Sequence, residues 1–137
     1  MEHIIKIKEG YGDLSFRMPI EEAVKLLGEP DSIEGMENAM DEPTTVVHYD
    51  DYGLTLFFEG TVPVLECIDL SYEESTLFGK KIFDMNEREI VRLMVANEYY
   101  EQDVDNESWG ERRISFGEGN IDFFFDKDVL QSVIYGE

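Results

Sequence analysis

Three blocks of this sequence recur in the same order at nearly one spacing. Met18-Pro19-Ile20-Glu21-Glu22-Ala23-Val24-Lys25-Leu26-Leu27 lies over Met85-Asn86-Glu87-Arg88-Glu89-Ile90-Val91-Arg92-Leu93-Met94, 67 residues on. At the same offset Gly53–Glu59 meets Asn120–Asp126, and at an offset of 65 Val64–Ile68 meets Val129–Val133. Recurrence of this kind is the mark of a repeated supersecondary unit. The first block of each half has apolar residues at helical spacing: Ala23, Val24, Leu26 and Leu27, then Ile90, Val91, Leu93 and Met94. Pro19 suits a first helical turn. Asn86 with Glu89 forms a capping-box start, and Gly28 followed by Pro30 ends the first helix. The second helix has no such stop and is expected to run on to about Tyr100.

Three strands are expected after each helix. Thr44–Tyr49 leads into Leu54–Glu59 through the turn residues Asp50-Asp51-Tyr52-Gly53, and Arg112–Phe116 leads into Ile121–Asp126 through Gly117-Glu118-Gly119-Asn120. Val64–Leu70 and Val129–Tyr135 close the halves, Ile4–Ile7 reads as an extra strand, and Ser71–Thr76 is the joint. Asp31–Pro43 and Glu101–Glu111 fit no regular element and read as acidic loops. The expected fold is α+β: two tandem helix-plus-three-strand repeats, about 10–70 and 76–135, forming a largely antiparallel sheet with the helices on one face. At 137 residues the two repeats make one compact domain, 1–137.

This organisation resembles the tandem-repeat folds of the β-lactamase-inhibitor-protein type. For one unit it resembles the small outer-membrane assembly lipoproteins of the BamE/SmpA type. The residues that carry the resemblance are Met18, Glu22, Val24 and Leu27-Gly28-Glu29-Pro30-Asp31, followed by the strands from Val46 to Leu70; the second half keeps Met85 and Glu89. The resemblance implies a protein-binding scaffold without an active site.

Charge narrows the function. The chain carries a net −21, and the 52 residues from Gly28 to Gly79 hold thirteen Asp and Glu and no Lys or Arg. Such a surface attracts basic partners and repels nucleic acid and anionic lipid. Sixteen Phe and Tyr residues argue for a packed core, since disordered acidic chains are poor in aromatics. No Lys/Arg stripe supports direct nucleic-acid binding, and no apolar run approaches the ~20 residues of a membrane span. Met1-Glu2-His3-Ile4-Ile5-Lys6 has no signal-peptide core, so a cytoplasmic protein is expected.

Chemistry-bearing motifs are few. Cys67 is the single cysteine, and His3 and His48 are the two histidines, too few and too scattered for a nucleophilic triad. Asp103-x-Asp105-x-Glu107 opens like a calcium loop, but Ser108 and Ile114 stand where Gly and the bidentate Glu belong. The two Gly-x-Gly runs lack the lysine of a phosphate loop. No catalytic, cofactor or metal residue is therefore assigned. Aromatics beside acids remain: Tyr49, Asp50, Asp51 and Tyr52, then Tyr99, Tyr100, Asp103, Asp105, Glu107 and Trp109. Tyr and Trp anchor interfaces, and flanking acids suit a basic partner. The expected function is a non-enzymatic acidic protein-binding domain, in its sharpest form an immunity-type inhibitor of a basic toxin or nuclease. The alternatives are a ligand-binding or enzymatic domain with a pocket between the repeats, and a housekeeping domain whose acidity only confers solubility.

Overall fold

The structure is a computed structural model describing residues 1–36, 43–107 and 110–137. Among these residues thirteen strands form two sheets, and two α-helices accompany them. The larger sheet has eight strands in the order β10-β11-β12-β13-β7-β6-β5-β4, antiparallel throughout: β4 (Ser32–Met36), β5 (Thr44–Tyr49), β6 (Leu54–Glu59), β7 (Val64–Leu70), β10 (Asp103–Asn106), β11 (Glu111–Phe116), β12 (Ile121–Asp126) and β13 (Val129–Gly136). The smaller sheet is made of short strands in the order β3-β2-β1-β8-β9: β1 (Ile4–Lys6), β2 (Gly10–Tyr11), β3 (Leu14–Ser15), β8 (Thr76–Leu77) and β9 (Lys80–Lys81).

This corrects the expected fold class. The chain is mostly β, with α1 (Ile20–Leu27) and α2 (Glu87–Ala96) as minor elements, not an α+β chain of two helix-plus-three-strand repeats. Strands β4 and β10 lie in the segments read as loops, and β1 joins a second sheet with β2, β3, β8 and β9, four strands that the helix-plus-three-strand units did not include. Four of the strands in that second sheet are two residues long, too short to show a period in sequence.

Local chemistry explains the helix ends. Pro19 sits at the N-cap of α1, outside the first turn, and Gly28 closes α1 at φ 86°. In α2 the capping box forms: Glu89 N–H donates to Asn86 Oδ1 at 3.0 Å, and Asn86 N–H donates to Glu89 Oε1 at 3.2 Å. Helix α2 stops at Ala96, short of the expected Tyr100, because Glu98 takes a left-handed φ of 70° and Tyr99 N–H turns back to Met94 O at 3.0 Å.

One core joins these parts. Leu54, Leu56 and Phe58 of β6, Phe123 and Phe125 of β12, Ala23 of α1, Ile90 and Met94 of α2, and Ile5, Tyr11 and Leu14 of the small sheet belong to one buried cluster. Tyr135 on β13 donates its hydroxyl to Gly10 O at 2.9 Å, tying the two sheets together. Gly10 is there because a Cβ would lie 1.9 Å from Leu14 O. Among the described residues no helix is long and apolar enough to cross a membrane.

Candidate functional site

Side chains alternate across a strand, so the residues that do not enter the core define a second face. The helices and the small sheet contribute to the core side, and the register places the other set in rows across the large sheet. One row reads Asp103, Ser115, Asp122 and Ile134, then crosses from β13 to β7 and continues Asp69, Thr55, His48 and Ser32. Two further rows flank it on opposite sides: Asp105, Arg113, Phe124 and Ser132 on one, and Glu34, Val46, Phe57 and Cys67, which meets Gly136, on the other. Val46 is 4% exposed and stands outside the core cluster. Phe57, Cys67, Phe124 and Ile134 are half-buried. This outward face thus has an apolar centre and carboxylates on both flanks.

A recess of about 440 Å³ opens in this face, lined by Asp50, Gly53, Leu54, Thr55, Asp69, Ser71 and Ser132. Asp69 is half-buried and, among the described residues, its carboxylate accepts no hydrogen bond and meets no cation within 4 Å. Burial pushes its carboxyl above the ordinary 3.8, against a smaller opposing pull from His48. His48 itself contacts Thr55 Oγ1 through Nδ1 at 3.2 Å and faces Glu34 at 3.7 Å. Cys67 next to it is held as a thiol: burial, then Asp69, push it up to about 11, which leaves it a poor nucleophile.

These facts predict a stabilising substitution. Folding disfavours the ionised form of Asp69, so its contribution is fully present below the unfolded value of 3.8 and is lost as pH rises through the higher folded value. Asp69→Asn, isosteric and uncharged, is therefore expected to melt above the wild type at neutral pH, with the gap closing on acidification below the ordinary carboxylate range. Thermal melts at both pH values check it; a variant less stable at neutral pH contradicts it.

The residues singled out in sequence are dispersed. Tyr49 is 4% exposed and donates its hydroxyl to Gly28 O at 2.8 Å, so it is a core residue with a satisfied tip. Tyr52 packs with His3 and Tyr72. Asp50 and Asp51 are exposed in the 3₁₀ turn between β5 and β6, and Asp50 reaches the recess. Tyr99 stacks on Phe78 with ring centroids 6.2 Å apart, whereas Tyr100 is 59% exposed. Asp103 and Asp105 lie on the outer edge strand, 3.8 and 3.6 Å from Arg113, which partly cancels their charge. Glu107 follows that strand, and its N–H donates to Glu111 O at 2.7 Å. Trp109 lies outside the described residues.

Asp69, Thr55, Phe57, Phe124 and Ile134 were not singled out. The available signal was the pattern itself: Leu54–Glu59 and Ile121–Asp126 each put Phe at an outward position, where alternation calls for a polar residue.

Two other hollows lie elsewhere on the surface. One of about 480 Å³ is lined by Glu101, Gln102, Asp103, Ser115 and Gly117. The other, about 590 Å³, runs along α2 past Asn86, Glu87, Arg88, Val91, Arg92 and Asp128, two cations against two carboxylates. Among the described residues no group of three or more His, Cys, Asp or Glu could hold a metal ion.

No protein-family model matches the sequence, and no curated protein matches it. A solved structure shares its fold. The crystal structure of an extracellular protein containing an SCP domain, from Bacillus anthracis strain Ames, matches with a TM-score of 0.51 and 16% identity, over 97% of this chain and 50% of that chain. The chain thus spans half the length of that neighbour, and at this identity the likeness is one of fold alone. It corrects the expected kinship with the β-lactamase-inhibitor-protein and BamE/SmpA types: the neighbour is of another kind, and the chain is mostly β.

Proposed function

We propose that this is a non-enzymatic, acidic protein-binding domain whose partner is a basic protein, in its sharpest form an immunity-type inhibitor of a basic toxin or nuclease. The observation that carries the reading is where the cation-free stretch falls. Gly28–Gly79 builds β4, β5, β6 and β7, one complete half of the large sheet, plus β8. Cations from outside the stretch reach few of its acids: Arg17 pairs with Glu66 at 2.6 Å and Lys81 with Glu74 at 2.8 Å. Among the described residues Glu29, Asp31, Asp50, Asp51, Glu59, Asp69 and Glu73 have no cation within 4 Å. A uniform half-sheet of this kind speeds encounter with a basic surface and rejects acidic ones.

The test begins with capture of a partner on the immobilised protein at low salt and measures its association rate. Raising ionic strength from about 0.05 to about 0.5 M should slow association roughly tenfold or more. The triple variant Asp50→Asn, Asp51→Asn, Glu73→Gln should slow it in the same direction without lowering Tm. An association rate indifferent to salt and to these substitutions contradicts the reading.

A further inference from the structure

We propose that the outward face of the large sheet is the docking surface, with a Lys or Arg side chain of the basic partner seated in the recess over Asp69 and its apolar neighbours resting on Phe57, Phe124 and Ile134. This rests on the reading of the chain as a binder of basic proteins and adds the place and the anchor. Charge complementarity selects the occupant. Asp69 sits in the recess with Asp50 and with three hydroxyl residues, Thr55, Ser71 and Ser132, that can accept N–H donors. Among the described residues its carboxylate has no cation within 4 Å and no hydrogen bond, which leaves its acceptor capacity to a ligand. A half-buried carboxylate attracts a cation more strongly than an exposed one does, because the surroundings screen less.

The apolar surface lies within reach of the same segment. Ile134 is directly opposite Asp69, Phe57 is two residues along β6 from Thr55, and Phe124 is opposite Ser132. With strands ~4.8 Å apart and ~3.3 Å per residue, Phe57 and Phe124 lie on opposite sides of Asp69 roughly 20 Å apart, within the span of about six residues of an extended segment.

The experiment titrates the ¹⁵N-labelled protein with acetyl-Phe-Arg-Phe-amide and, in parallel, with acetyl-Phe-Glu-Phe-amide. The arginine peptide is expected to give saturable amide shifts at Thr55, Phe57, Asp69 and Ser132. The glutamate peptide is expected to give none there. Asp69→Asn, shown folded by its unchanged spectrum elsewhere, should weaken binding about tenfold or more, the loss of one charge-assisted contact. Unchanged affinity in Asp69→Asn, or equal shifts from both peptides, overturns the proposal. Saturable, arginine-specific shifts elsewhere on β4–β7 overturn the seat but leave the basic-partner reading standing. No saturable arginine-specific shift anywhere overturns both.

Discussion

Phe123→Ala is expected to lower the free energy of unfolding by about 3–5 kcal/mol, the range for emptying a large aromatic site in a packed core. Phe123 is 0% exposed, sits mid-strand between Ile114 and Val133, and meets Phe116 edge to face at 5.9 Å. A domain of this size has roughly 5–15 kcal/mol in total, so the variant should be largely unfolded at moderate urea. The neighbouring substitution Phe124→Ser makes the comparison decisive. Phe124 faces the other way and is half-buried, so its loss should cost only about 1 kcal/mol of area burial. Urea melts of the two variants check the assignment of faces. Equal losses would mean that the outward face is covered and is no docking surface.

The second large effect concerns a polar cluster within the small sheet. Tyr11 hydroxyl lies 2.8 Å from Ser75 Oγ and 2.9 Å from His3 Nδ1, and Ser75 is 0% exposed. Burial pushes the Tyr11 phenol up to about 12, partly offset by the Ser75 bond, so it stays a neutral donor at all ordinary pH. Tyr11→Phe strands the Ser75 hydroxyl in the interior and should cost about 1–3 kcal/mol. Ser75→Ala should cost less, because the tyrosine keeps His3. In the double variant nothing polar is left stranded at Ser75, so the loss should fall short of the sum by about 1 kcal/mol. Strict additivity in denaturant melts would contradict the coupling.

What could be read from the sequence follows from the length and contrast of each pattern. The strands β5, β6, β11, β12 and β13 were legible because six to eight residues of alternation are bounded by turn residues. The start of α2 was legible because a capping box is a local device. The fold class was not. Two helices of 8 and 10 residues carry strong apolar stripes, and weighing them equally with the strands made a mostly β chain look α+β. The short strands of the small sheet gain their order from partners far away in sequence, as in the parallel pairing of Ile4 with Thr76. Strand β10 is exposed along its length and has no buried alternation to read. The Leu27-Gly28-Glu29-Pro30 motif behind the family resemblance is at root a helix stop, with Gly28 at the C-cap, and such stops recur across unrelated folds.

The candidate site was legible only in part, for the same reason. Acid beside aromatic pointed to Tyr49, which the structure buries, and to Asp103 and Asp105, which Arg113 engages. Asp69 lies within a strand whose neighbours are apolar, and its isolation from cations depends on four strands meeting in register. The cation-free stretch was visible from the start. That it forms one half of a sheet required the topology.

Carboxyl footprinting tests the account most directly. The captured basic partner is bound, exposed carboxylates are labelled with a carbodiimide and an amine, and labelling is read residue by residue against the free protein. The account predicts protection of Asp69, Asp50 and Asp122, with Glu21, Glu22 and Glu98 unchanged on the helices and their ends. Protection confined to the helix side, with Asp69 labelled equally in both states, would contradict it.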